Sequence, residues 1–245
     1  MNSRRKTKVK TEKLLSSLSG GSILDVATGN GGFINILINN LEDYTEITGI
    51  DRSERPLESA RKTYSQHNIH FQLMDAAHLN FPEGHFDTVC IANSLHHMVD
   101  LVTVLSEMLR VCKPGGNFII SEMYRDGQSE TQLTHVLLHH WWAAVDTADG
   151  ITHSQTFTRQ QIIEVIGSLG LQQLNYCDDQ DQESNPKDPE MIRELDGIID
   201  RYIQRCQTLT GGQELIQQGE ELRQRVHEIG MRGATSLTMI GKKLT

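Results

Sequence analysis

The chain has 245 residues, 37% of them hydrophobic, with 32 acidic against 23 basic side chains and a formal net charge of −9. That length holds one sizeable α/β domain with additions, and the negative balance argues against a large nucleic-acid footprint. No apolar run is long enough to span a bilayer and no signal peptide opens the chain, so a cytoplasmic protein is expected.

The basic start, Arg4-Arg5-Lys6-Thr7-Lys8-Val9-Lys10, reads as a solvated, mobile terminus. Residues 11–18 suit a short helix feeding the first strand. The run Ile23-Leu24-Asp25-Val26 then ends in Ala27-Thr28-Gly29-Asn30-Gly31-Gly32, and Phe33, Ile34, Leu37, Ile38 and Leu41 follow at helical spacing. A strand, a glycine-dense turn and a helix at the start of an α/β sheet form a nucleotide-binding unit, because glycine lets the backbone turn sharply and approach a ligand closely. No Lys-Ser or Lys-Thr follows the glycines, which excludes a phosphate-cradling loop. A dinucleotide fingerprint would need its third glycine where Ile34 stands. S-adenosylmethionine (SAM), which carries no phosphate, is the third reading.

Glu46-Ile47-Thr48-Gly49-Ile50-Asp51 is a second strand ending in an acid, suited to accept from ribose hydroxyls. Residues 53–66 form a helix that Ser53 is placed to cap. Ile69-His70-Phe71-Gln72-Leu73-Met74-Asp75-Ala76 is a third strand, its acid suited to an adenine amino group. Phe86-Asp87-Thr88-Val89-Cys90-Ile91-Ala92-Asn93-Ser94-Leu95-His96-His97 supplies the fourth. An amphipathic helix marked by Leu101, Val104, Leu105, Met108 and Leu109 stops at Lys113-Pro114-Gly115-Gly116, and residues 116–123 are the fifth strand. This ordered series, over residues 20–125 and the final strand, resembles the class I SAM-dependent methyltransferases, particularly the small-molecule group that includes the ubiquinone/menaquinone biosynthesis methyltransferases. The one departure is Ala27, where the family pattern usually has glycine.

The resemblance implies a Rossmann-like, mostly parallel seven-stranded sheet of order 3-2-1-4-5-7-6 with its last strand antiparallel. It also implies SAM as methyl donor and S-adenosylhomocysteine as product. The cofactor-binding residues are then Asp25, Ala27, Thr28, Gly29, Gly31, Asp51, Arg52, Asp75, Ala76, Asn93 and Ser94. Asn93 and Ser94 are expected to face the methyl group, and Asp25 to act through the turn or the donor's amino group.

Beyond Met123 the alternation lapses. Residues 130–148 read as an inserted helix, and Thr158-Arg159-Gln160-Gln161 as a capping box for the next. Residues 171–177 suit a sixth strand. Two apolar stripes follow, Met191 to Ile203 and Leu215 to Ile229, before a closing strand at 235–242. One domain is expected, with helical insertions at 124–157 and 178–233. Both insertions leave from the ligand-binding edge of the sheet, so both are expected to cover the donor.

Methyl transfer is an in-line displacement on an activated donor, so the protein chiefly aligns the acceptor and excludes water. His96 and His97 are the candidate catalytic residues, either able to deprotonate an acceptor if its pKa lies near working pH. His135, His139, Trp142 and Asp146 fall on one helical face, and are expected to line the acceptor's site. His140 points elsewhere, and His153 follows in the loop. Two histidines and a carboxylate at that spacing can also bind a metal, but none is assigned. The scattered Cys90, Cys112, Cys177 and Cys206 carry no CxxC spacing; Cys90 and Cys112 read as buried small hydrophobes.

The expected activity is methyl transfer to an O, N, S or C centre of a small molecule, without nucleic acid or membrane partners. The alternatives are a non-catalytic SAM sensor or partner subunit, and a methyltransferase acting on protein or tRNA. The C-terminal helices are expected to offer a homodimer surface.

Overall fold

The computed structural model describes residues 10–245, so the expectation for the basic start lies outside the described residues, save Lys10. Seven strands form one sheet: β1 (Ser22–Val26), β2 (Glu46–Asp51), β3 (Ile69–Leu73), β4 (Phe86–Ala92), β5 (Cys112–Met123), β6 (Gln172–Asp179) and β7 (Ser236–Lys242). Their order is β3-β2-β1-β4-β5-β7-β6, with β7 antiparallel to both of its neighbours and the other pairs parallel. The helices are α1 (Lys10–Leu15), α2 (Gly32–Asn40), α3 (Glu54–Thr63), α4 (Leu101–Val111), α5 (Glu130–Ala148), α6 (Arg159–Gly167), α7 (Pro189–Cys206) and α8 (Gly212–Ile229). Leu95–His97 is a short 3-10 turn. No helix among the described residues is long and apolar enough to cross a membrane.

The pleat sorts the core. Leu24, Val26, Val89, Ile91, Phe118, Ile120, Leu237 and Met239 pack in one apolar cluster. Ile23, Cys90, Ile119 and Ile240, one residue out of phase on the same strands, pack in another. Successive side chains of a strand point to opposite faces, and both faces of a parallel sheet are covered by helices, so these strands read as unbroken apolar runs. A third cluster joins Leu138, Trp141 and Val145 of α5 to Leu195 and Ile199 of α7 and Val226 of α8. The helices α5, α7 and α8 therefore form a small bundle with its own core, while α6 packs on the sheet through Ile162 and Ile166.

Local signals account for most boundaries. The Thr158 side chain accepts from the Gln161 backbone N–H at 3.2 Å while the Gln161 side-chain Oε1 accepts from the Thr158 backbone N–H at 2.8 Å, closing the capping box. Asp188 caps α7, with Pro189 at its first position. Two expectations need correction. The Ser53 side chain makes no cap bond; its backbone N–H donates instead to Asp51 Oδ1 at 2.9 Å. The fifth strand begins at Cys112 rather than Gly116, because a register shift between Phe86 and Thr88 absorbs Lys113-Pro114-Gly115-Gly116.

Candidate active site

Chain reversal of strand order between β1 and β4 opens a crevice at their carboxyl ends, the usual ligand position of an open α/β sheet. A cavity of about 720 Å³ lies there, within the size range of small-molecule sites. Its wall includes Ala27 and Gly29 after β1, Asp51 and Arg52 after β2, Asp75 and Ala76 after β3, and Asn93, Ser94 and His97 after β4. Met98, Val99 and Asp100, with Thr103 and Val104 of α4, complete the far side.

The turn after β1 is held in left-handed backbone at Ala27 (φ 54°), Gly29 (φ 55°) and Gly31 (φ 85°). This explains the family's glycine at Ala27, since a Cβ in that region costs about 1–2 kcal/mol. A Cβ built on Gly29 meets nothing within 4 Å, so the space beside it is free for a ligand. One on Gly31 would lie 2.4 Å from the Tyr64 ring, whose hydroxyl donates to the Gly31 carbonyl at 2.7 Å. Gly31 therefore shapes the turn from behind, and neither it nor Thr28 is on the cavity wall.

Asp51 braces this turn from the side. Its Oδ2 accepts from the Gly29 N–H at 2.9 Å, which fixes the carboxylate against the glycine loop and leaves its outward lone pairs to the cavity. Asp75 Oδ1 accepts from the Ala77 N–H at 3.0 Å, and its side chain is largely exposed at the rim. Asp25 is different. It is fully buried and off the cavity wall, its carboxylate accepting from Thr28 Oγ1 at 2.5 Å and from Cys90 Sγ at 3.3 Å. Burial pushes its pKa up to about 6, against the opposing pull of those two donors. Asp25 thus holds the turn's shape from inside the sheet.

Of the two candidate catalytic histidines, only His97 reaches the cavity wall. His96 is 2% exposed, with Nδ1 2.9 Å from Glu122 Oε1, while Glu122 Oε2 accepts from the Leu95 N–H at 2.8 Å. Burial, then neighbouring His96, His153 and Arg52, push the His97 pKa down to about 3. On α5, His139 meets His96 edge-on with ring centroids 4.7 Å apart; burial first, then the other histidines, bring its pKa to about 2. Asp146 accepts from His153 Nδ1 at 2.7 Å and pairs with Arg205 of α7 at 2.8 Å. Trp142 lies against His139 and Tyr202. His135 is drawn away, its Nδ1 accepting from the Ala234 N–H at 2.9 Å, and His140 turns to Thr156.

No residue of α5, α7 or α8 is on the wall of this cavity. The helix α5 meets the wall from behind, through His139 against His97, while α7 and α8 pack on α5. Sequence reading passed over Glu122 and gave no role to His153. An acid ending the apolar run Phe118-Ile119-Ile120-Ser121-Glu122 was the available signal for the first.

The methyltransferase domain family matches residues 17–178. The chain is 37% identical over 118 residues to the demethylmenaquinone methyltransferase of Lactococcus lactis, a stretch covering 47% of each chain. It thus spans about half the length of the curated relatives it matches. In fold it is similar to the [4+2]-cyclase SpnF, at TM-score 0.62 and 20% identity over 96% of this chain and 79% of that one. It is similar also to phosphoethanolamine N-methyltransferase 2 of Haemonchus contortus, solved with SAM, at TM-score 0.56 and 15% identity over 95% of this chain and 51% of that one.

Proposed function

The chain belongs to the methyltransferase domain family, and we propose that it moves the SAM methyl group to a small molecule. The observation that carries the reading is the cavity itself. Asp51 and Asp75 stand at adjacent strand tips on the wall that also holds Gly29, and in this reading they take the ribose and the adenine edge. Asn93 and Ser94 then flank the sulfonium, and the acceptor enters between His97, Met98 and Val99. Val99, on that wall, is 78% exposed, an apolar lip suited to an acceptor with aromatic or hydrocarbon character.

The wall residues do the aligning, which is most of what an in-line displacement asks of a protein. His97, held down to about 3, is a poor match for a general base at neutral pH. It presents a neutral ring that orients the acceptor. The acceptor then has to shed its proton without help from this ring, and the acceptors we infer are quinols, phenols and thiols, whose deprotonated forms are strong nucleophiles. The quinone-type relatives are consistent with that class. One domain, with α5, α7 and α8 as a bundle flanking the acceptor side, is the organisation we infer.

Incubation with SAM and a panel of quinols, phenols, thiols and amines, followed by mass spectrometry, tests the proposal. A methylated quinol, phenol or thiol appearing with stoichiometric S-adenosylhomocysteine is expected. Tight SAM binding without any methylated product across the panel would instead mark a sensor.

A further inference from the structure

Behind His97 the fold gathers four imidazoles from three chain segments: His96 and His97 from the 3-10 turn, His139 from α5, and His153 from the loop after α5. One nitrogen of each lies within 4.8 Å of one nitrogen of every other. Ring centroids are 4.2 Å apart for His96–His97 and His97–His153, and 4.8 Å for His139–His153.

The hydrogen bonds say which atoms are free. Ionised carboxylates only accept, so Glu122 fixes the proton of His96 on Nδ1 and Asp146 fixes that of His153 on Nδ1. Each ring then leaves an Nε2 lone pair free. Both Nε2 atoms are buried and have no hydrogen-bond partner, as is His139 Nδ1. His96 and His153 are themselves 2% and 8% exposed. Among the described residues no hydrogen bond joins any two of the four rings, so they do not satisfy one another. Buried polar atoms left unpaired are uncommon and costly, and these three rings pack with centroids 4.7, 5.7 and 4.8 Å apart, close enough for one shared partner to satisfy them.

We propose that His96, His97, His139 and His153 bind one divalent first-row transition-metal ion, of the class that imidazole favours, with zinc as the reference ion. The carboxylate–histidine pairs Glu122–His96 and Asp146–His153 are the outer partners that orient metal-bound imidazoles and raise their basicity. Zinc–nitrogen bonds of about 2.0–2.1 Å would draw the four nitrogens inward. The ion would pin the 3-10 turn, α5 and the following loop together at the back of the cavity wall. This site does not depend on methyl transfer, and its test reads metal alone.

Tag-free protein, stripped with chelator and dialysed, is titrated calorimetrically with zinc chloride. One equivalent should bind, and thermal unfolding should move upward with it. His139→Ala and His153→Ala should each weaken that binding by more than about 10-fold, the lower end of what losing even an outer partner costs, while His140→Ala leaves it unchanged. Should the alanine variants fail to fold, cobalt-loaded unaltered protein examined by X-ray absorption must show imidazole ligands at the metal. No stoichiometric binding, binding indifferent to His139 and His153, or a cobalt shell without imidazole would each overturn the proposal.

Discussion

Two buried or half-buried acids around the glycine turn do different work, and each can be measured. Asp51 touches the turn and the cavity together. Asp51→Ala should weaken SAM binding by about 1.5–3 kcal/mol, the value of hydrogen bonds to a charged group, read by calorimetry. Unchanged affinity would place the ribose elsewhere. Asp25 acts on stability through its proton. Its carboxyl titrates at about 6 in the fold against an ordinary 3.8, so between those values the native state holds a proton that the unfolded chain has released. Stability contributed by Asp25 therefore falls as pH rises from about 4 to about 6 and is flat above. Denaturant unfolding of wild type and Asp25→Asn over that range should show the difference between them sloping only in this window.

At the level of elements, the helical bundle stands on close contact between α5 and α8. Trp141 Nε1 donates to the Leu215 carbonyl at 2.8 Å, which pins the indole over Gly219. A Cβ on Gly219 would lie 2.4 Å from Trp141 Cζ2. Gly219→Ala should destabilise by about 1–3 kcal/mol, as overpacking does, seen in chemical unfolding, while SAM affinity stays as it was. The strands, the glycine turn and the capping box at Thr158 were legible because each rests on a local pattern: apolar runs, glycines at a bend, a Thr-x-x-Gln spacing. Asp51, Asp75, Asn93, Ser94 and His97 could be placed on the cavity for the same reason, since each lies at or shortly after the carboxyl end of a strand. What remained hidden was long-range. Nothing local tells that Ala234 holds the His135 ring, that Glu122 on β5 reaches His96, or that the α7–α8 pair packs on α5. Those outcomes are set by packing between segments distant in sequence, 26 residues apart for His96 and Glu122 and 99 for His135 and Ala234.

For the molecule as a whole, the cavity couples ligand to fold. The strand tips of β1, β2, β3 and β4 all contribute to its wall, so a ligand bound there holds half of the sheet's carboxyl edge in place. Saturating SAM, at about 100 times its dissociation constant, should add about 2.7 kcal/mol of stability by mass action, visible as an upward shift in thermal unfolding. Asp51→Ala at the same SAM concentration should lose most of that shift. A wild-type protein whose unfolding temperature ignores SAM would not have the cavity occupied.

Calorimetric titration of the intact chain with SAM, and separately with a nicotinamide dinucleotide, tests the central claim most directly. The account predicts one saturable site for SAM and none for the dinucleotide. Binding of the dinucleotide with no heat from SAM would contradict it.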